Sequence, residues 1–99
     1  MGAEQLLAAT KYNEKIAVEI KTFLAPSTIS EFHTAVGQFI NYRIALEFDD
    51  PERTLYLEIP LGIHRKFFKY SFIQTVIERN QIPLLVYDTE KKEISRWIK

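Results

Sequence analysis

The 99-residue chain contains no cysteine. Disulfides, thiolate metal sites and a cysteine nucleophile are therefore excluded. It has no excess charge of either sign, with 13 basic and 13 acidic residues. A non-specific DNA binder usually carries a basic surplus, because its affinity rests on neutralising phosphates. The balance weakens that reading unless charge is segregated locally. No apolar run approaches the roughly 20 residues of a membrane-spanning helix. The N-terminus lacks a basic stretch leading into an apolar core, which predicts no signal peptide and a cytoplasmic protein. Only 3 glycines and 4 prolines are present. They fall where elements should end, so residues 1–99 read as a single domain without a linker. No glycine-rich phosphate loop and no G-x-S-x-G elbow occurs. The two histidines, His33 and His64, are too far apart for a histidine-based metal motif.

Apolar residues make up 46% of the chain and aromatics 13%, enough for a packed core. Residues 3–10 read as a short strand and turn. Residues 16–23 (IAVEIKTF) form a clear strand. Ile16, Val18 and Ile20 alternate with Ala17, Glu19 and Lys21, so the two sets face opposite sides. Ala25-Pro26-Ser27 breaks this strand. Thr28-x-x-Glu31 reads as a capping box that opens a helix to about Glu47. Its predicted apolar stripe is Ile29, Phe32, Val36, Phe39, Ile40 and Ile44. Residues 54–59 are a second strand, stopped by Pro60 and Gly62. Residues 63–79 read as helix with a break near Tyr70-Ser71. Residues 84–88 and 93–98 are strands joined as a hairpin. The order β-β-α-β-α-β-β predicts an α/β fold with a mixed central sheet and flanking helices.

Glu19 and Lys21, two positions apart on one strand, share a face with Cα atoms ~6–7 Å apart. A carboxylate and an amine projecting together can serve phosphodiester chemistry. The carboxylate takes a hard cation such as Mg²⁺, the metal acidifies bound water, and the amine offsets charge on the phosphate. Such a centre needs a second carboxylate, ordinarily from the preceding strand. Glu4 is the only acid in residues 1–10. On its own, Glu-x-Lys on a strand is most often a plain ion pair. Gln38 lies seven residues after Glu31, on one helix face with it. That face stands near Glu19 in the functional reading and is ordinary helix surface otherwise. His33 reads as a partly buried structural histidine. His64 with Arg65, Lys66 and Lys69 forms either a phosphate contact or a solvated face. Ser27, Thr28 and Ser30 cap the helix more readily than they bind an anion. Lys91, Lys92, Arg96, Trp97 and Lys99 form a nucleic-acid edge or a strand edge protected by lysines.

The segments KIAVEIKTFL, STISEFHTAVGQFINYRIAL, RTLYLEIP and FIQTVIERNQIPLLVYD, taken together, resemble the XisH family of fdxN-element excision controlling factors. The likeness covers about residues 2–98 and is most specific over Ser27–Leu46. XisH proteins are associated with excision of the fdxN element in cyanobacteria, during heterocyst differentiation. Their fold is similar to the restriction-endonuclease-like PD-(D/E)XK superfamily. The resemblance implies Glu19 and Lys21 as the ExK residues, Glu19 as the metal ligand for Mg²⁺, and Gln38 on the helix that follows. It also implies a truncated, restriction-endonuclease-like core lacking its N-terminal helix and first strand, since family members carry an aspartate just ahead of Gly2-Ala3-Glu4. Three functions follow as expectations. The first is an accessory factor for DNA excision that does not cleave. The second is a Mg²⁺-dependent DNA endonuclease. The third is an interaction module that pairs with the companion protein XisI. A sheet face left uncovered by the missing helix predicts a homo-oligomer.

Overall fold

The computed structural model describes residues 4–11 by their backbone and 14–99 in full. The elements are β1 (Glu4–Lys11), β2 (Glu14–Lys21), α1 (Thr28–Asp49), β3 (Thr54–Pro60), α2 (Leu61–Lys66), α3 (Ser71–Arg79), β4 (Leu84–Asp88) and β5 (Glu93–Ile98). They build one five-stranded sheet in the order β1-β2-β3-β4-β5. The hairpins β1–β2 and β4–β5 are antiparallel, while β2–β3 and β3–β4 are parallel. Parallel neighbours cannot be joined by a tight turn, so each parallel step is bridged by helix. The expected mixed α/β fold is the one observed.

All three helices lie on one side of the sheet. Phe32, Ala35 and Phe39 of α1, with Phe68, Ile73 and Ile77 from α3 and the turn before it, pack on Ala17, Leu55, Leu57, Ile59, Leu84 and Val86. Phe32 sits at the centre, wholly buried, edge-on to Phe67 and Phe68 with ring centroids 5.7 Å from each. The opposite face carries a smaller cluster of Ile16, Val18, Tyr56 and Leu85, with Ile20 and Trp97 against it. The Tyr56 and Trp97 rings meet edge-on at 5.2 Å. β2 thus has the predicted alternation, with apolar surroundings on both faces, as expected of an inner strand.

Several local expectations are corrected. The N-cap of α1 is Ser27, whose Oγ accepts a hydrogen bond from the Ser30 backbone N–H at 3.2 Å. Ser27 therefore takes the cap, Ser30 takes the third helical position, and Glu31 lies one residue too late to complete a capping box. The stripe of α1 facing the core runs Phe32, Ala35, Phe39 with Val36, Tyr42 and Leu46 beside it, so the predicted Phe32, Val36 and Phe39 belong to it, whereas Ile29 and Ile44 are exposed. Ala35 is small enough to let the helix axis approach the sheet, which rotates the buried face away from those isoleucines. α1 ends at Asp49 because Asp50 precedes Pro51 and is pushed out of helical backbone. Gly62 does not end anything: it is helical within α2, which starts directly after Pro60. The expected break near Tyr70-Ser71 is real and separates α2 from α3.

Two contacts hold the strands that matter. Arg53 donates from its guanidinium to the Ile16 carbonyl at 2.8 Å and to Asp50 at 3.0 Å, tying the loop before β3 onto β2. The Arg53 hydrogen bond is also what holds the Asp50 carboxyl below its usual range. Past the end of β2, Phe23 adopts a left-handed backbone, φ 58°, uncommon for a bulky residue. Its ring is buried and meets Phe68 edge-on at 6.2 Å, and that packing offsets the strain.

Candidate functional site: a buried acid and amine on the second strand

Ala17, Glu19 and Lys21 occupy alternate positions of β2, and Ala17 belongs to the helix-side core. Glu19 and Lys21 therefore share a face, as their parity predicted, and that face is the helix side, which parity alone did not fix. The register sets Glu19 between Leu57 on β3 and Leu6 on β1. Glu19 has 0% exposure and Lys21 3%; they are the two charged residues in the buried set. Desolvating charge costs several kcal/mol per ion unless it is compensated, so two ionisable groups at neighbouring same-face positions in the core are unusual on energetic grounds alone.

The hairpin register places the Cα of Glu4 opposite that of Lys21. This is closer than the separation along an extended strand would imply. Gln38 stands on α1 next to the buried Phe39. Its Oε1, like that of Glu31, is buried with no hydrogen-bond partner among the described residues. Among the described residues no hydrogen bond joins Gln38 to Glu19 or Lys21. Glu31, read above as a capping residue, is half-buried on the same helix instead. Thr22 Oγ1, one residue after Lys21, is another buried oxygen with no partner among the described residues. Sequence reasoning missed it, because a threonine at a strand end carries no signal of its own.

The fit to a divalent cation can be tested on these residues. Among the described residues no group of three or more His, Asp or Glu side chains is placed to hold a metal ion. Mg²⁺ takes about six oxygens and keeps several waters, and a wholly covered Glu19 leaves them no room. The described residues as they stand do not fit a Mg²⁺ centre.

The other candidates divide. His33 is exposed, beside the Phe32 ring at 6.0 Å. It is not the partly buried histidine expected, because it lies off the rotated α1 stripe. Lys91 and Lys92 lie in the exposed turn before β5, and Trp97 turns inward onto Tyr56. Lys99 pairs with Glu14 at 3.3 Å. His64 is half-buried on α2, and Arg96 of β5 comes to its side. No helix among the described residues is long and apolar enough to cross a membrane.

The crystal structure of an XisH family protein from Nostoc punctiforme PCC 73102 matches with a TM-score of 0.91 and 53% identity over 95% of this chain. That of an fdxN element excision controlling factor protein from Anabaena variabilis matches with a TM-score of 0.90 and 52% identity, again over 95% of this chain. In both cases the match spans 74% of the other chain. Comparison with curated proteins returns no match. The sequence profile of the XisH protein family matches residues 1–95. With the family profile covering nearly the whole length and two solved folds superposing on it, the chain belongs to the XisH family.

Proposed function

We propose that this XisH-family chain is an accessory factor in excision of a DNA element, and that it acts on DNA without cutting it. The observation that carries the reading is the 0% exposure of Glu19 and 3% exposure of Lys21. An acid and amine buried this deeply are not presented to a phosphodiester. The antiparallel hairpin β1–β2, followed by a helical crossover into the parallel β3, supports a nuclease-like core of the PD-(D/E)XK kind. In this reading the Glu-x-Lys pair has become an interior polar pair. XisI remains the protein partner proposed by resemblance, and a second copy of the chain is another. DNA is the partner on which the reading turns.

The test is a gel shift with duplex DNA across a salt series. An accessory binder gives a shift that weakens steeply with salt, since it displaces counterions, with the DNA recovered intact. Absence of any shift at low salt, with the chain co-eluting with XisI, would favour an interaction module instead.

A further inference from the structure

Two basic stretches distant in sequence converge on one cleft beside α2. On α2, His64 and Arg65 lie one turn before Phe68, and Lys69 follows in the turn to α3. On the other side is the edge strand β5. Arg96 pairs with Val86 of β4, and Val86 belongs to the helix-side core. Cross-strand partners share a face, so Arg96 rises on the helix side of the sheet. The β4–β5 register shifts between Val86 and Tyr87, which leaves Ser95 outside the pairing. A bulge of this kind breaks the strict alternation and re-aims side chains. As a result the neighbours Ser95 and Arg96 both line the same cleft, about 510 Å³ in volume, with His64, Arg65 and Lys69 opposite them.

The charges there are uncompensated. Arg65, Lys69 and Arg96 are exposed, and none forms a salt bridge to a carboxylate among the described residues. The Lys69 ammonium rests over the Tyr70 ring at 5.5 Å. The nearest acids belong to the flanks: Glu78 in the adjoining hollow below His64, and Asp88 and Glu90 beyond Arg65. Asp88 is already engaged, its Oδ1 accepting from the backbone N–H groups of Glu90 and Lys91 at 3.0 and 3.1 Å. The crowding of cations registers on His64. Burial first, then Arg96 and Arg65, holds its imidazole below the usual range. The cleft is also braced, since the Gln74 side-chain amide donates to the carbonyls of Phe68 and Lys69 at 3.2 and 3.4 Å. A chain with equal numbers of acids and bases thus concentrates three unpaired cations around one concavity.

We propose that this cleft is a phosphate-binding site, with Arg65 and Arg96 gripping a phosphate from opposite walls and Lys69 and the Ser95 hydroxyl completing its contacts. Guanidinium forks suit phosphate oxygens geometrically. The phosphate can come from a DNA backbone, a source that rests on the excision reading above, or from a free polyphosphate.

Both sources are tested on the full chain. Fluorescence anisotropy with a labelled duplex compares the chain with the double variant Arg65→Ala/Arg96→Ala, and with Lys15→Ala/Arg79→Ala, which removes the same charge from residues that do not line the cleft. The cleft variant should bind at least tenfold more weakly, with a salt slope smaller by about two, one per lost phosphate contact. The control should stay within twofold. Thermal melts check folding, and Arg65→Gln/Arg96→Gln replaces any variant that fails to fold. Equal binding by the cleft variant, or equal weakening by the control, overturns the DNA source. In parallel, inorganic pyrophosphate is titrated into isotopically labelled chain and followed by NMR. Shifts concentrated at residues 64–69 and 95–96, lost in the cleft variant, support the site even if the chain binds no duplex and the excision reading fails. Absence of such shifts together with unchanged DNA binding overturns the site itself.

Discussion

Separating Glu19 from Lys21 by mutation should expose how strongly the interior depends on having both. The two stand on one face of β2 at 0% and 3% exposure, with Cα atoms ~6–7 Å apart. Glu19→Leu or Lys21→Met removes one charge from beside the other in a medium that solvates ions poorly. Where two buried charges compensate each other, removing one costs about 3–5 kcal/mol. For a domain of this size that corresponds to a melting temperature lower by at least about 12 °C, at roughly 4 °C or more per kcal/mol. The double variant removes both charges and places similar volume in an already apolar setting. It should fall near the unmodified chain, or gain about 1–4 kcal/mol, because well-packed apolar substitutes for a buried ion pair are often neutral or stabilising. Urea denaturation of the four proteins gives the full double-mutant cycle. The reasoning predicts a coupling energy of about 1–3 kcal/mol. Additive effects, or single variants costing under about 1 kcal/mol each, would show that the two groups do not share a desolvated environment.

Further outcomes follow from the same structure. Phe32→Ala removes a wholly buried ring that touches both Phe67 and Phe68, and should cost about 3–5 kcal/mol in denaturant titration. Ser27→Ala deletes the Oγ acceptor for the Ser30 N–H, and should cost about 1 kcal/mol, seen also as faster amide exchange in the first turn of α1. Burial on the helix-free face pushes the Glu58 carboxyl above its ordinary value of 4.5. A raised folded-state value means that its contribution is full below 4.5 and is lost as the pH climbs through the raised value. Melting temperature should therefore fall over that window in the unmodified chain, and Glu58→Gln should flatten the profile and melt higher at pH 7. Parallel profiles for the two proteins would contradict this.

How much of this was legible depends on how local the physics is. The alternation in residues 16–21 gave the shared face of Glu19 and Lys21 directly, because strand parity is a property of the backbone. Which face the helices cover was not legible: Ile16, Val18 and Ile20 look like core, yet the larger core lies on the side of Ala17. This inner strand is buried on both sides, so hydrophobicity cannot choose between them. The α1 stripe was misjudged by a small rotation, since Ala35 carries little apolar weight in a sequence but decides how closely helix and sheet approach. The capping box was displaced by one residue because Ser27 and Thr28 are equally good caps by type, and only the extended backbone at Ser27 distinguishes them. The meeting of Arg96 with His64 and Arg65 was out of reach. It depends on which residue of β4 Arg96 pairs with, Val86, and a pairing across strands has no local signal to announce it.

The account stands most directly on one measurement: supercoiled plasmid incubated with the chain and Mg²⁺, beside the same reaction with Glu19→Gln. A sealed Glu19 predicts plasmid that stays supercoiled in both. Nicked circles from the unmodified chain that disappear with Glu19→Gln would contradict it, and would show that the second strand's acid is reached by metal and DNA after all.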